Sequence, residues 1–365
     1  MKISEVISYL QTIAPPPLQE DYDNAGLLTG DPEQEVTKAL ICLDSTEEVI
    51  DEAIKDNCNL VISHHPIVFG GLKKFTGATY VERTIIKAIK NDIAIYAAHT
   101  NLDNVNQGVN RKIADKLRLK NCIILSPKPG TLKKLYTFCP VDKADEIRNA
   151  VFSAGAGEIG EYIECSYNTE GFGTFKGMEG ADPYVGKKGE QAREPEIRLE
   201  SIFSAHLESK VISKLKEAHP YDEVAYDIIS LDNPDPTVGA GMIGELEKEV
   251  NTMIFLEELK KVMETACIRY TPQVKKNIIK VAVCGGSGSF LLNEAIQAGA
   301  DILVTADFKY HQFFDAEGKI VIADIGHYES EQFTMELLHE LLTKNFNKFA
   351  VRLTTINTNP VKYLV

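Results

Sequence analysis

Apolar residues come in short unbroken runs through the first third of the chain. Each run is followed by a longer stretch in which they recur every three or four positions. KALICLD (38–44) is such a run. Behind it, STEEVIDEAIKDN (45–57) offers Ser45 or Thr46 as a helix cap and puts Val49, Ile50, Ala53 and Ile54 on one inner face. The alternation repeats with NLVIS (59–63) as strand, TYVERTIIKAIKND (79–92) as helix, IAIYAAH (93–99) as strand, NQGVNRKIADKLRL (106–119) as helix and CIIL (122–125) as closing strand. An opening helix is carried by Ile3, Val6, Ile7, Leu10 and Ile13, which keep helical spacing up to a proline stop. Strands that lack polar alternation are buried on both faces. The pattern therefore predicts a parallel or mostly parallel sheet covered by helices on both sides, an α/β fold.

Near Ser126 the pattern changes. A strand (133–141), a helix (142–155), two strands (161–177 and 196–204) separated by a Gly/Lys/Pro-rich loop, a helix (208–220) and a strand (223–231) follow in turn. That is β-α-β-β-α-β, the ferredoxin-like order. DNPDPTVGAG (232–241) has linker composition. The α/β pattern then resumes with helices at 251–266, 289–299 and 330–346 and strands at 280–284, 301–307 and 319–326. The expected organisation is one discontinuous α/β unit, 1–125 plus 233–365, interrupted by a ferredoxin-like α+β domain at 126–232.

Composition narrows the function classes. With 365 residues and 44% hydrophobic content, the chain can bury a large core. It has no apolar run of 18 residues and so no expected membrane span. The seven cysteines show no CxxC spacing and several sit in apolar runs, which fits buried free thiols in a reducing cytoplasm. A net charge of −14 with no basic stripe argues against a nucleic-acid partner, while a small phosphorylated substrate needs only a local site.

Ligands of open α/β sheets bind beyond the carboxyl ends of strands, so the residues at those ends carry the candidate chemistry. There stand His64 and His65, then His99 and Asp103, the turn Gly285-Gly286-Ser287-Gly288-Ser289, Asp307 with Lys309 and His311, and finally His327 and Glu331. A lone histidine after a strand is usually a satisfied core or capping residue, and His206, His219 and His339 are read that way. Histidine with carboxylate at several strand ends is instead a donor set suited to Zn²⁺, Fe²⁺ or Mn²⁺. His327 and Glu331, four apart, share a face if a helix starts at the strand end. Adjacent histidines point apart on a strand, so His64 and His65 suit two ions better than one. Asp103 and Glu331 would hold the two together, at the ~3.5–4 Å separation of two-metal sites. The turn at Gly286, Ser287 and Gly288, with Lys309 nearby, could cradle an anion or phosphate, although the third glycine of a dinucleotide fingerprint is missing. His99 and His311 are candidates to move protons. Asp44 and Asp324 could cap helices or orient ligands from behind.

Six segments in order, YDNAGLLTGD (22–31), VISHHPIVFGGLK (61–73), YAAHTNLDNVNQGVN (96–110), VAVCGGSGS (281–289), LVTADFKYHQ (303–312) and IADIGHYESEQ (322–332), resemble the Nif-three-like family, often named GTP cyclohydrolase 1 type 2 homologs. AHPYDEVAYDI (218–228) is similar to the PII-like, CutA-like module inserted in the longer bacterial members. The resemblance implies a toroidal homohexamer with a dinuclear metal centre. It assigns His65 and Asp103 to one ion, His64 and His327 to the other, and Glu331 as the bridge. The expected function is a metal-dependent hydrolase acting on a nucleotide or related small molecule through a metal-activated water. Non-enzymatic metal storage, delivery or regulation is the alternative.

Overall fold

Thr46 starts the helix Glu47–Lys55, its hydroxyl accepting the Val49 N–H, and Val49, Ile50 and Ala53 are buried. Ile54, expected on the same face, is 38% exposed, because the apolar stripe of this short helix is narrower than four residues. In the computed structural model, which describes residues 1–364, the first strands are β1 (Gly26–Thr29), β2 (Lys38–Cys42), β3 (Leu60–Ser63), β4 (Ala94–Ala97) and β5 (Lys120–Pro127). Next come β6 (Leu132–Pro140), β7 (Tyr167–Lys176), β8 (Gln191–Ser204) and β9 (Tyr226–Ser230). The last are β10 (Gly239–Asn251), β11 (Arg269–Tyr270), β12 (Asn277–Ser287), β13 (Ile302–Ala306), β14 (Val321–Asp324) and β15 (Ala350–Leu353).

The α/β part contains two sheets. The first runs β1-β4-β3-β2-β15, with β4, β3, β2 and β15 mutually parallel and β1 antiparallel at the edge. The second runs β11-β14-β13-β12-β10-β5, parallel through β14, β13 and β12 and antiparallel elsewhere. The predicted closing strand, β5, thus leaves the first sheet and pairs with β10. β10 covers a segment expected to begin as linker. Its glycines hide the strand from composition, yet they have a packing reason: a side-chain carbon on Gly244 would lie 2.7 Å from the Cys122 sulfur. One continuous core joins residues from both sheets, among them Ile62 and Tyr96 from the first and Val281 and Val304 from the second. Among the described residues no helix is long and apolar enough to cross a membrane.

The chain divides into two compact units, Met1–Pro127 with the segment from Pro236 onward, and Lys128–Asp235. The second unit has sheet order β7-β8-β6-β9 with every ladder antiparallel, which is the ferredoxin-like arrangement. The Gly/Lys/Pro-rich loop lies where expected but is shorter, because β8 already starts at Gln191 and pairs with β7 from Tyr167↔Glu200 to Lys176↔Gln191. Pro195 fits within β8 because pairing with β6 ends at Glu196, leaving β7 as its only neighbour there.

Candidate metal centre

The strand ends of both sheets in the larger unit open onto one space. His64 and His65 follow β3, whose course they briefly continue: their N–H groups donate to Cys42 and Leu43 carbonyls at 3.3 and 3.0 Å. The two rings do not simply diverge. Their centroids lie 4.9 Å apart, and each turns toward the buried carboxylate of Glu331. Nε2 of His65 is 2.9 Å from Oε2 of Glu331, and Nε2 of His64 is 3.7 Å from Oε1. Glu331 arrives on the short helix His327–Glu331, started by Gly326 at φ 96°. At i, i+4 on that helix, Nε2 of His327 lies 3.1 Å from the same Oε2 and 3.4 Å from Nε2 of His65. Asp103 sits on the single helical turn Thr100–Asp103 behind His99, and its Oδ1 is 3.6 Å from Nε2 of His64. These distances group His65 with His327 and His64 with Asp103, each pair sharing Glu331. The partition implied by the family resemblance is the reverse.

Each of four histidines is held from behind through Nδ1. That of His64 donates to the Ala98 carbonyl at 2.8 Å, and those of His65, His99 and His327 donate to Asp44, Asp23 and Asp307, each at 2.7 Å. A neutral imidazole anchored this way turns the lone pair of Nε2 forward, the usual arrangement behind metal-ligating histidine. The anchors are themselves anchored. Asp44 accepts the Thr358 hydroxyl at 2.6 Å, and Asp23 accepts both the N–H and the hydroxyl of Thr100.

The protein's own charges show how much this space favours positive charge. Burial would lift the Glu331 carboxyl, but the hydrogen bonds of His327 and His65 and the nearby His64 imidazole outweigh it and hold the group well below its usual range. Burial opposes a charged His65, yet Asp44 and Glu331 push it up to about 10. His327, likewise opposed by burial, is pushed up to about 11 by Asp307 and Glu331. Asp103, buried and facing the charge of Glu331, is pushed well above the carboxylate range. His64, fully buried, is pushed down.

The residues fit a divalent cation. Nε2 of His64 and Oδ1 of Asp103 are buried without any hydrogen-bond partner, a costly arrangement unless something else engages them. The sets His65/His327/Glu331 and His64/Asp103/Glu331 each bring three ligating atoms within 4.8 Å of one another, as does His64/His65/His99. Imidazole nitrogens and carboxylates without thiolate are compatible with Zn²⁺, Fe²⁺ and Mn²⁺. A cavity of about 880 Å³ adjoins the cluster, with His65, His99 and His327 on one side and Tyr80, Arg269 and Asn359 among its walls.

Several expected residues lie elsewhere or do something else. His311 and Lys309 are on or beside the exposed turn Tyr310–Ala316, where His311 packs between Tyr310 and Phe314. Neither lines the cavities beside the cluster. Gly286 is not an open anion cradle, since its N–H donates to Ser330 Oγ at 2.9 Å. A side-chain carbon there would stand 2.3 Å from Oε1 of Glu331, and φ is 60°. A side-chain carbon on Gly288 would meet the Thr305 hydroxyl at 2.3 Å. Ser287 does line a second cavity of about 470 Å³ with Asp103 and Glu331. Asp23, Arg269, Thr358 and Asn359 were not singled out from sequence. Asp23 lies in the first of the six family-like segments. The C-terminal segment carries no local signal, because only the fold returns it to the site.

A sequence model of the Duf34/NIF3 (NGG1p interacting factor 3) family matches residues 1–360. A protein named GTP cyclohydrolase 1 type 2 homolog from Halalkalibacterium halodurans is 38% identical over 373 residues, covering all of both chains. One of the same name from Bacillus subtilis is 36% identical over 366 residues, covering 99% of this chain and 98% of its own. A Bacillus cereus protein described as related to NIF3 has a crystal structure that superposes with TM-score 0.86 at 38% identity, covering 100% of this chain and 99% of the other. Whole-length likeness of sequence and fold makes this chain a member of the Duf34/NIF3 family.

Proposed function

We propose that the cluster binds two divalent cations and that the protein is a metal-dependent hydrolase of a nucleotide or related small phosphorylated molecule. The observation that carries this is the set of three anchored imidazoles, His64, His65 and His327, whose Nε2 atoms converge on Glu331, with the His64 nitrogen and the Asp103 oxygen buried and unpartnered. His65, His327 and Glu331 would hold one ion; His64, Asp103 and Glu331 would hold the other. When bound, such ions supply Lewis acidity and lower the pKa of a coordinated water from ~15.7 toward ~7. The rest belongs to the chain. His99, its Nδ1 fixed by Asp23 and its ring facing the cavity, can accept a proton and release it to solvent. Arg269, Thr358 and Asn359 offer donors for phosphate or hydroxyl groups, while Phe69, Tyr80 and Tyr328 provide aromatic walls for a flat base. The names of the relatives make GTP one substrate to try.

The test starts with elemental analysis of anaerobically purified protein. Turnover of GTP and of a nucleotide and phosphoester panel follows, with the metal found and with the parent and His65→Ala proteins. Metal-dependent product that disappears in His65→Ala supports the proposal. No product with any substrate, or equal product from His65→Ala, sinks it.

A second reading rests on an asymmetry. His64 is wholly buried and Asp103 is 23% exposed, whereas His327 and its anchor Asp307 are 41% and 47% exposed. An ion at the exposed pair could exchange, which suits metal delivery. Transfer of metal to a chelator within minutes, without turnover, would favour delivery; retention for hours would exclude it. The homohexamer belongs to the same proposal, and light scattering at six chain masses is its check.

A further inference from the structure

A third cavity, of about 560 Å³, lies wholly within the ferredoxin-like unit. Phe172, Phe175, Tyr184 and Tyr221 are among its walls, together with Glu196. Glu196 is only 8% exposed. Its Oε1 accepts the Tyr221 hydroxyl at 2.8 Å, which fixes the carboxylate in place. Its Oε2 rests against the backbone of Gly173. A side-chain carbon on Gly173 would stand 2.0 Å from that oxygen, so only glycine leaves room for it. The aromatic rings wall the space rather than fill it. Tyr221 stands 6.4 Å from Phe175 and 6.1 Å from Tyr184 between centroids, with the planes tilted.

Charge decides what such a space would take. Glu170, Glu196, Asp222 and Glu223 line it against only Lys176 and Arg198, and the Arg198 guanidinium is already engaged by Glu200 at 2.7 Å. An anion is therefore disfavoured. A metal ion is disfavoured too, since among the described residues no group of three ligating side chains lies in this unit. Phe172 already carries a cation of the protein itself, with the Arg193 guanidinium 4.1 Å from its ring centroid. Aromatic faces and a desolvated carboxylate together select organic cations, through ring quadrupoles and a charge-assisted hydrogen bond. We infer that this cavity is a binding site for a small organic cation, an ammonium-bearing molecule seated on Glu196 between the Phe172, Phe175, Tyr184 and Tyr221 rings. The site is independent of the metal cluster and of the activity proposed for it.

The experiment uses the full chain and three probes of similar shape: phenethylammonium, neutral 2-phenylethanol and anionic phenyl phosphate. Binding is followed by calorimetry and by ligand-observed magnetic resonance. Phenethylammonium is expected to bind at least about tenfold more tightly than the alcohol, and the phosphate not at all. Glu196→Gln should bring ammonium and alcohol within about threefold of each other, and His65→Ala should change neither. If Glu196→Gln fails to fold, Tyr184→Leu serves, because that ring is half exposed. It should weaken the ammonium at least about threefold with circular dichroism unchanged. Equal affinity for ammonium and alcohol, preference for the phosphate, no binding at millimolar concentration, or loss of binding in His65→Ala would each overturn the inference.

Discussion

The Nε2 atoms of His65 and His327 stand 3.4 Å apart, both within 3.1 Å of one oxygen of Glu331. The two residues are 262 positions apart in the chain, one after β3 and one after β14, and only the packing of two sheets on one core brings them together. Two imidazole lone pairs so close repel unless a proton or a cation lies between them.

That relationship distinguishes four of the ligating residues by what their loss should do. His65→Ala and His327→Ala are expected to lower bound metal from two ions toward one, and so is His64→Ala, at the other position. Glu331→Gln is expected to lose both, because each set depends on that carboxylate. Metal-to-protein ratios after gel filtration check this. Equal, complete loss in every variant would refute a site with two separable halves.

Metal uptake should release protons. His65 and His327, pushed up to about 10 and about 11, are protonated at neutral pH and must deprotonate to ligate. Protons bound in the metal-free state and lost on binding mean that apparent affinity rises with pH through the neutral range. Calorimetry in buffers of different ionisation enthalpy should show about two protons released per pair of ions at pH 7–8. A buffer-independent heat would contradict this.

Asp44 joins His65 to the C-terminal segment through Thr358. Asp44→Ala is expected to weaken metal at the His65 position about 10–100-fold while the circular dichroism spectrum stays that of the parent. Thr358→Val, which leaves Asp44 in place, should cost less. The measurement is competition against a calibrated chelator.

Gly286→Ala tests whether the turn is glycine for the sake of Glu331. A residue with a side chain at φ 60° costs about 1 kcal/mol, and this one would also push on Oε1. The expected outcome is a lower melting temperature together with a lower metal content. A stable protein with full metal content would show the turn to be permissive.

Acid stability should report on Asp23. Burial alone would raise its pKa above the ordinary 3.8, but the His99 and Thr100 hydrogen bonds outweigh burial and lower it to about 2. A carboxylate depressed by folding adds stability that is present above pH ~4 and lost as pH falls toward ~2. Asp23→Asn should therefore be less stable than the parent at pH 5, with the gap closing by about pH 2.5. Urea unfolding at stepped pH measures the gap; a gap independent of pH would place the effect elsewhere than in this ionisation.

Local chemistry made much of the protein legible in sequence. The caps, the helical spacing around Val49 and Ala53 and the unbroken runs of β3, β4, β12, β13 and β14 mark their elements because those signals act within a few residues. The alternation in the smaller unit points to its ferredoxin-like order for the same reason. His64, His65, Asp103, His327 and Glu331 stood out because polar ligating residues at the ends of buried strands are conspicuous. What sequence did not reach depends on distant partners. β5 pairs with β10 across an intervening domain, and β10 is stabilised by close backbone approach at glycines that look like linker. His311 and Lys309 share the strand-end signature of His327, yet the chain turns them outward. The grouping of His65 with His327, the anchoring of Asp44 by Thr358 and the Glu196 cavity are likewise decided by tertiary structure, because each joins side chains whose meeting is encoded nowhere near either one.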